Sequence, residues 1–187
     1  LSEYRSRHII DAKGHTILPG LVDPHTHLVF AGFRDREFEM RVAGRSYMEI
    51  LAAGGGILST VTETRKTGKQ HLTKICRERA RSLLRHGTTT IEIKSGYGLR
   101  TADEIKCLEV ARALDKNGPF DVVSTFMGAH AVPQEYQGRT DEYVRLVTEE
   151  MIPTVARRKL ALFCDVFCER GVFTVEQSQR ILEAARQ

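Results

Sequence analysis

The sequence has no run of about 18 consecutive apolar residues, which excludes a helical membrane span. No basic-then-apolar leader is read at its start, so the expected location is the cytoplasm. None of its 4 cysteines (Cys76, Cys107, Cys164 and Cys168) belongs to a CxxC pair. Cys164 and Cys168 fall in one apparent strand, which would part their Cα atoms by roughly 13 Å. A disulfide tolerates less than about 7 Å. All four are expected to be reduced thiols, packed rather than catalytic. The densest basic run, "RERARSLLRH", has no aromatic residues interleaved with it, so it reads as a solvated helix face and not as a nucleic-acid patch. The surplus of positive charge is small, a net +4. What is present is enough for a core: 187 residues, 41% hydrophobic and 28% charged.

The opening "RHIIDAKGHTILPG" has two apolar pairs around a turn and is expected to form a hairpin, the edge of a small β domain over residues 1–20. From residue 21 a strand–helix rhythm begins. "LVDPHTHLVF" reads as a strand, "SYMEILAA" as a helix stopped by the glycines of "GGG", and "KQHLTKICRERARSLLRHG" as a helix stopped by Gly87. "TTTIEIK" is β-branched and reads as a strand. "TADEIKCLEVARAL" opens with a capping-box pattern, Thr101 and Glu104. "FDVVSTFMGAH" and "LALFCDVFCE" are the next strands. Between them lies a helix capped by Thr140, with Pro153 expected to kink or break it. A last helix starts at a second capping box, Thr174 and Gln177.

Repeated β–α units with apolar strands predict an α/β fold with a parallel sheet covered by helices. An open doubly wound sheet and a (β/α)8 barrel both fit. No GxGxxG follows the first strand, which weakens the dinucleotide-binding reading. Polar residues gather at the C-terminal strand ends: His25 and His27, Lys94 to Tyr97, His130, then Asp165 and Glu169. A barrel builds its active site there. Residues 21–187 are therefore expected to be strands 1–4, the first half of a TIM-like barrel. Half a barrel leaves two edges unpaired and an inner face uncovered, so the chain is expected to be a piece of a longer protein.

His25 and His27 flank one threonine on a strand, so both imidazoles project from the same face, and Asp23 shares it. Such a pair can reach one metal ion. The stretch "PGLVDPHTHLVFAGFR" resembles the first barrel strand of the amidohydrolase superfamily. "YMEILAAGGGILSTVTETR", "GTTTIEIKSGYGL", "MGAHAVPQEY" and "CDVFCERGVFTVEQSQRILEAA" are similar to the imidazolonepropionase family, and the similarity runs over essentially the whole chain.

That resemblance implies hydrolysis of the ring C–N bond of 4-imidazolone-5-propanoate to N-formimino-L-glutamate, in histidine degradation. It implies one zinc or iron ion with His25 and His27 as ligands, and substrate contacts from Arg34, Tyr97, His130 and, less directly matched, Tyr47. His130 is also the candidate for polarising the carbonyl under attack. The residue types suit these roles: a guanidinium binds a carboxylate with two parallel hydrogen bonds, and a phenol or imidazole can donate to the ring. The competing reading of Arg34 is an ion pair with Asp35 or Glu37. Lys94 is taken as a structural partner of Glu92, and no role is assigned to Asp165 or Glu169. The resemblance further implies a small-molecule substrate, no nucleic-acid or membrane partner, and compatibility with a homodimer. It also places the other metal ligands and the general base beyond residue 187; two histidines alone fall short of the three protein ligands usual in a catalytic zinc site. Two alternatives stay open: another mononuclear amidohydrolase acting on a cyclic amidine, and a non-catalytic half barrel that pairs with another chain.

Overall fold

The computed structural model describes residues 7–46, 49–50, 53 and 55–186. Four parallel strands, β1 (Leu21–Thr26), β2 (Thr88–Lys94), β3 (Asp121–Ala129) and β4 (Phe163–Val166), form one curled sheet in the order β1-β2-β3-β4. The helices are α1 (Asp35–Val42), α2 (Ile57–Lys66), α3 (Lys69–Arg85), α4 (Thr101–Asn117), α5 (Thr140–Leu146), α6 (Ile152–Arg157) and α7 (Val175–Ala185). Among the described residues no helix is long and apolar enough to cross a membrane.

The alternation of "TTTIEIK" sorts the two faces of β2. Ile91 and Ile93 are buried against Leu72, Cys76 and Ala80 of α3 and Val110, Ala111 and Leu114 of α4. Each fully buried Leu or Ile contributes about 1.5–3 kcal/mol. Glu92 and Lys94 take the opposite, inner face. A second cluster packs Phe126 of β3 against Val144, Met151 and Val155, and includes Phe173 and Ile181. The sheet is thus covered by helices on its outer side, while polar side chains occupy the inner one.

Several boundaries differ from expectation, each for a local reason. The segment before β1 has a turn at Lys13 and Gly14, both at positive φ, but no strand ladder among its described residues; Ile9 and Ile10 are exposed. β1 stops at Thr26 and does not continue to Phe30. Arg79 Nη1 donates to the carbonyls of Leu28 (3.0 Å) and Phe30 (2.6 Å), drawing that backbone out of the sheet. The helix expected over "SYMEILAA" falls largely outside the described residues. Helix α1 was not legible because it buries no residue and carries no apolar stripe. Gly56 does not end a helix: it is the N-cap of α2, with its amide held by Glu37 Oε1 at 2.8 Å.

The capping expectations divide. Thr174 and Gln177 form the reciprocal box at the start of α7. Thr101 and Thr140 do not cap; the N-caps are Arg100 and Arg139, without side-chain bonds. Glu104 is turned away into the preceding loop. The helix before β4 is interrupted by a wide π-type turn, Val147–Met151, ahead of Pro153. Proline has no N–H to donate and its ring displaces the carbonyl one turn back, so the break fits its chemistry. β4 is short, and Cys168 instead bridges to Phe173, leaving Glu169 exposed beyond the strand and off the face of Asp165. All four cysteines are free, with Cys76 and Cys107 buried.

Candidate functional site

The C-terminal ends of β1, β2 and β3 bring three imidazoles and a phenol together. His27, one residue past β1, stacks face to face on His130, which follows β3: their ring centroids are 4.3 Å apart and their planes differ by 9°. Tyr97, from the loop after β2, meets both rings edge-on, at 5.6 Å from His27 and 5.4 Å from His130. His25 lies 5.7 Å from His27, its amide held by Asp23 Oδ1 at 3.3 Å. Phe30 and Phe167 close the sides, against Tyr97 and His130 respectively.

Two successive carbonyls of one loop orient the stacked pair. His27 Nδ1 lies 3.0 Å from the Ser95 carbonyl, and His130 Nδ1 lies 3.0 Å from the Gly96 carbonyl. A carbonyl can only accept, so each Nδ1 carries the proton and each neutral ring keeps its lone pair on Nε2. Burial, then the nearby His130, brings the pKa of His27 down to about 4. Burial also lowers that of His130, against the raising effect of its bond to Gly96. Both rings are therefore neutral near pH 7, the form that ligates a metal or accepts a proton. Burial raises the pKa of Tyr97, partly offset by Arg34, which keeps the phenol protonated as a donor.

Beneath the aromatic group lies an ionic one. Lys94 is buried, with Nζ at 2.7 Å from Asp165 Oδ2 and 3.3 Å from Glu92 Oε1. Glu92 Oε1 also accepts from Thr125 Oγ1 at 2.6 Å. Burial works against the ammonium, but the two carboxylates outweigh it and the pKa of Lys94 is raised. This is the structural pairing expected of Lys94, extended by Asp165.

Arg34 stands at the N-cap of α1, partly exposed, with Nη1 3.9 Å from Glu37 Oε2. That is too long for a hydrogen bond, and the other oxygen of Glu37 is engaged with Gly56. Among the described residues the guanidinium makes no hydrogen bond, and it is close enough to influence Tyr97 and His130. Tyr47 lies outside the described residues. Among the described residues no three His, Cys, Asp or Glu side chains are grouped closely enough to hold a metal ion. His25 and His27 offer two imidazole donors with ring centroids 5.7 Å apart, compatible with two ligands of one ion.

Two residues that support the site were not picked out from sequence. Arg79 lies over the Phe30 ring, 3.6 Å from its centroid, and so braces the loop that leads from His27 to Arg34. Glu104 binds the loop that carries Tyr97. Both are polar residues on helices, and the pattern "TADE" points as readily to a cap as to a buried clamp.

No protein-family model matches the chain. Named relatives do. The chain is 59% identical over 185 residues to an imidazolonepropionase of Brevibacillus brevis, matching 97% of this chain and 44% of that protein. It is 57% identical over 178 residues to an imidazolonepropionase of Geobacillus kaustophilus, and 58% identical over 177 residues to one of Shouchella clausii. In these two the match covers 95% of this chain and, respectively, 42% and 40% of the relative. The chain thus spans less than half the length of the curated relatives it matches.

Proposed function

We propose, from its 57–59% identity to imidazolonepropionases over nearly its whole length, that this chain belongs to the imidazolonepropionase family and supplies one side of an active site that opens the ring of 4-imidazolone-5-propanoate to N-formimino-L-glutamate. The observation that carries the reading is the convergence of His25, His27, Tyr97 and His130, from three strands, at one end of the sheet. That is the end at which a completed (β/α)8 barrel would build its site, and we propose the sheet as half of such a barrel.

His25 and His27 would hold one zinc or iron ion. For His27 the free nitrogen is Nε2, since Nδ1 is bound to Ser95. When bound, the ion would supply Lewis acidity and lower the pKa of water from about 15.7 towards about 7. Arg34 binds the propionate carboxylate through its guanidinium, in place of the long ion pair with Glu37. Tyr97, protonated and half-buried, donates to the substrate and walls the ring on one side. His130, which has no proton on Nε2, accepts a hydrogen bond from a substrate ring N–H and so orients the ring, instead of donating to the carbonyl. Stacking on His27 restrains its plane, and the Gly96 carbonyl fixes its tautomer.

The test is turnover by the full-length metal-loaded enzyme: depletion of imidazolonepropionate with matching formation of formiminoglutamate. Release of ammonia from the ring instead would favour the deaminase reading. If Arg34→Ala retained kcat/KM, the carboxylate role given to Arg34 would be wrong.

A further inference from the structure

The loop between β2 and α4 is wrapped around one buried carboxylate. Glu104 has no exposed surface. Its Oε1 accepts from the amides of Gly98 (2.7 Å) and Leu99 (2.8 Å), and its Oε2 accepts from the amide of Gly96 (3.0 Å). Burial raises the pKa of Glu104, against the lowering effect of Ser95 and of the Leu99, Gly98 and Gly96 amides; the Ser95 hydroxyl itself accepts from the Met127 amide at 2.9 Å. Three backbone donors thus engage both oxygens of the carboxyl group. Glutamate is rarely buried so completely unless something requires it.

Helix α4 does not require it. Glu104 makes no cap, and its own amide already bonds the Arg100 carbonyl at 2.8 Å. What does require it is the loop. Leu99 is fully buried with φ +53, a conformation that a non-glycine residue holds only when its surroundings impose it. A Cβ on Gly98 would come within 2.5 Å of the Asp103 carbonyl carbon and the Glu104 nitrogen, so the loop lies directly on the first turn of α4. This same loop carries the Tyr97 ring and the two carbonyls that orient His27 and His130.

We infer that Glu104 is a positioning residue for the proposed hydrolysis: by gathering the amides of Gly96, Gly98 and Leu99 it fixes residues 95–99, and through them Tyr97, His27 and His130. The inference rests on the functional reading above. A carboxylate suits the task because its two oxygens grip both ends of the loop at once. Glutamine has the same shape but would turn an NH2 towards the Gly96 amide, donor against donor. Aspartate keeps the charge but is one methylene too short to reach both ends.

The experiment compares wild type, Glu104→Gln and Glu104→Asp in the full-length metal-loaded enzyme, measuring kcat, KM and bound metal. Displaced substrate contacts should raise KM in Glu104→Gln by at least about tenfold, with Glu104→Asp intermediate. A merely structural role would reduce the amount of folded enzyme and leave the KM of the surviving fraction as it was. KM within about twofold of wild type in the variants that fold overturns the inference; if Glu104→Gln does not fold, Glu104→Asp decides by the same criterion. Should the wild type fail to turn over imidazolonepropionate, the functional reading fails, and the clamp is judged by hydrogen exchange over residues 95–99. Slow exchange in wild type that is lost in Glu104→Asp supports it, and exchange as fast as in an exposed loop overturns it.

Discussion

His27 and His130 lie face to face, 4.3 Å between ring centroids, although they come from different strands and are held by different carbonyls. The contact ties the residue proposed to hold a metal to the residue proposed to orient the substrate ring. Replacing His130 by alanine in the full-length enzyme should therefore lower kcat/KM by about 100-fold, the scale of a misplaced substrate. Bound metal, measured by elemental analysis, should be largely retained, because His27 keeps its bond to Ser95. Loss of metal in step with activity would mean that the stack itself holds His27 in place.

Arg79 joins α3 to the loop after β1 through two carbonyls and the face of Phe30. Arg79→Ala should destabilise the protein by about 2–4 kcal/mol, since two charge-assisted hydrogen bonds and a stacked ring contact are lost together. Arg79→Lys should recover only part of this, because an ammonium has no planar face to lie over the Phe30 ring. Denaturant unfolding of the three proteins measures it; equal stability of the arginine and lysine forms would refute the geometric argument.

Gly96 has φ +113, and a Cβ there would sit 2.7 Å from His130 Cβ and 2.8 Å from the Met127 carbonyl oxygen. Gly96→Ala combines a strained backbone with a collision against the site, so a loss of about 1–3 kcal/mol is expected. Activity should fall further than stability accounts for, which a specific-activity measurement on the folded fraction would show.

Glu135 supplies a pH-dependent contribution away from the site. Burial raises its pKa, but bonds to Arg100 and Arg65 outweigh this and hold it at about 2, against an ordinary value of 4.5. A depressed carboxylate stabilises the fold above its unfolded pKa, and that contribution is lost as pH falls through the folded one. The benefit should therefore be full above about pH 4.5 and vanish towards pH 2. It should be modest, because the side chain is partly exposed. Glu135→Gln should lower the thermal midpoint at pH 6 and match wild type near pH 2; a constant gap across that range would assign the effect to packing.

The parts of the fold legible in the sequence are those where one local signal acts alone. β-branched residues marked β2 as Thr88–Lys94, and helical spacing ending at Gly87 marked α3. The strand-end rule brought His25, His27, Tyr97 and His130 into one candidate site. The illegible parts depend on partners distant in sequence. β1 ends early because Arg79 takes carbonyls that a longer strand would have paired. Glu104 had a local explanation as a capping residue, and only its burial against "SGYGL" shows that it serves the loop instead. Arg34 reads from sequence as either a surface ion pair or a substrate contact; the structure shows the ion pair with Glu37, at 3.9 Å and without a hydrogen bond.

The adjacent carbonyls of Ser95 and Gly96 have a consequence for anyone reshaping this protein. Two rings with different proposed duties are pinned to neighbouring peptide units, so they cannot be tuned separately. Lengthening or loosening "SGYGL" to admit a larger ligand would turn both imidazoles in the same stroke. Variants selected for new substrates should accordingly leave residues 95–99 untouched and accumulate changes around Arg34, whose side chain is exposed.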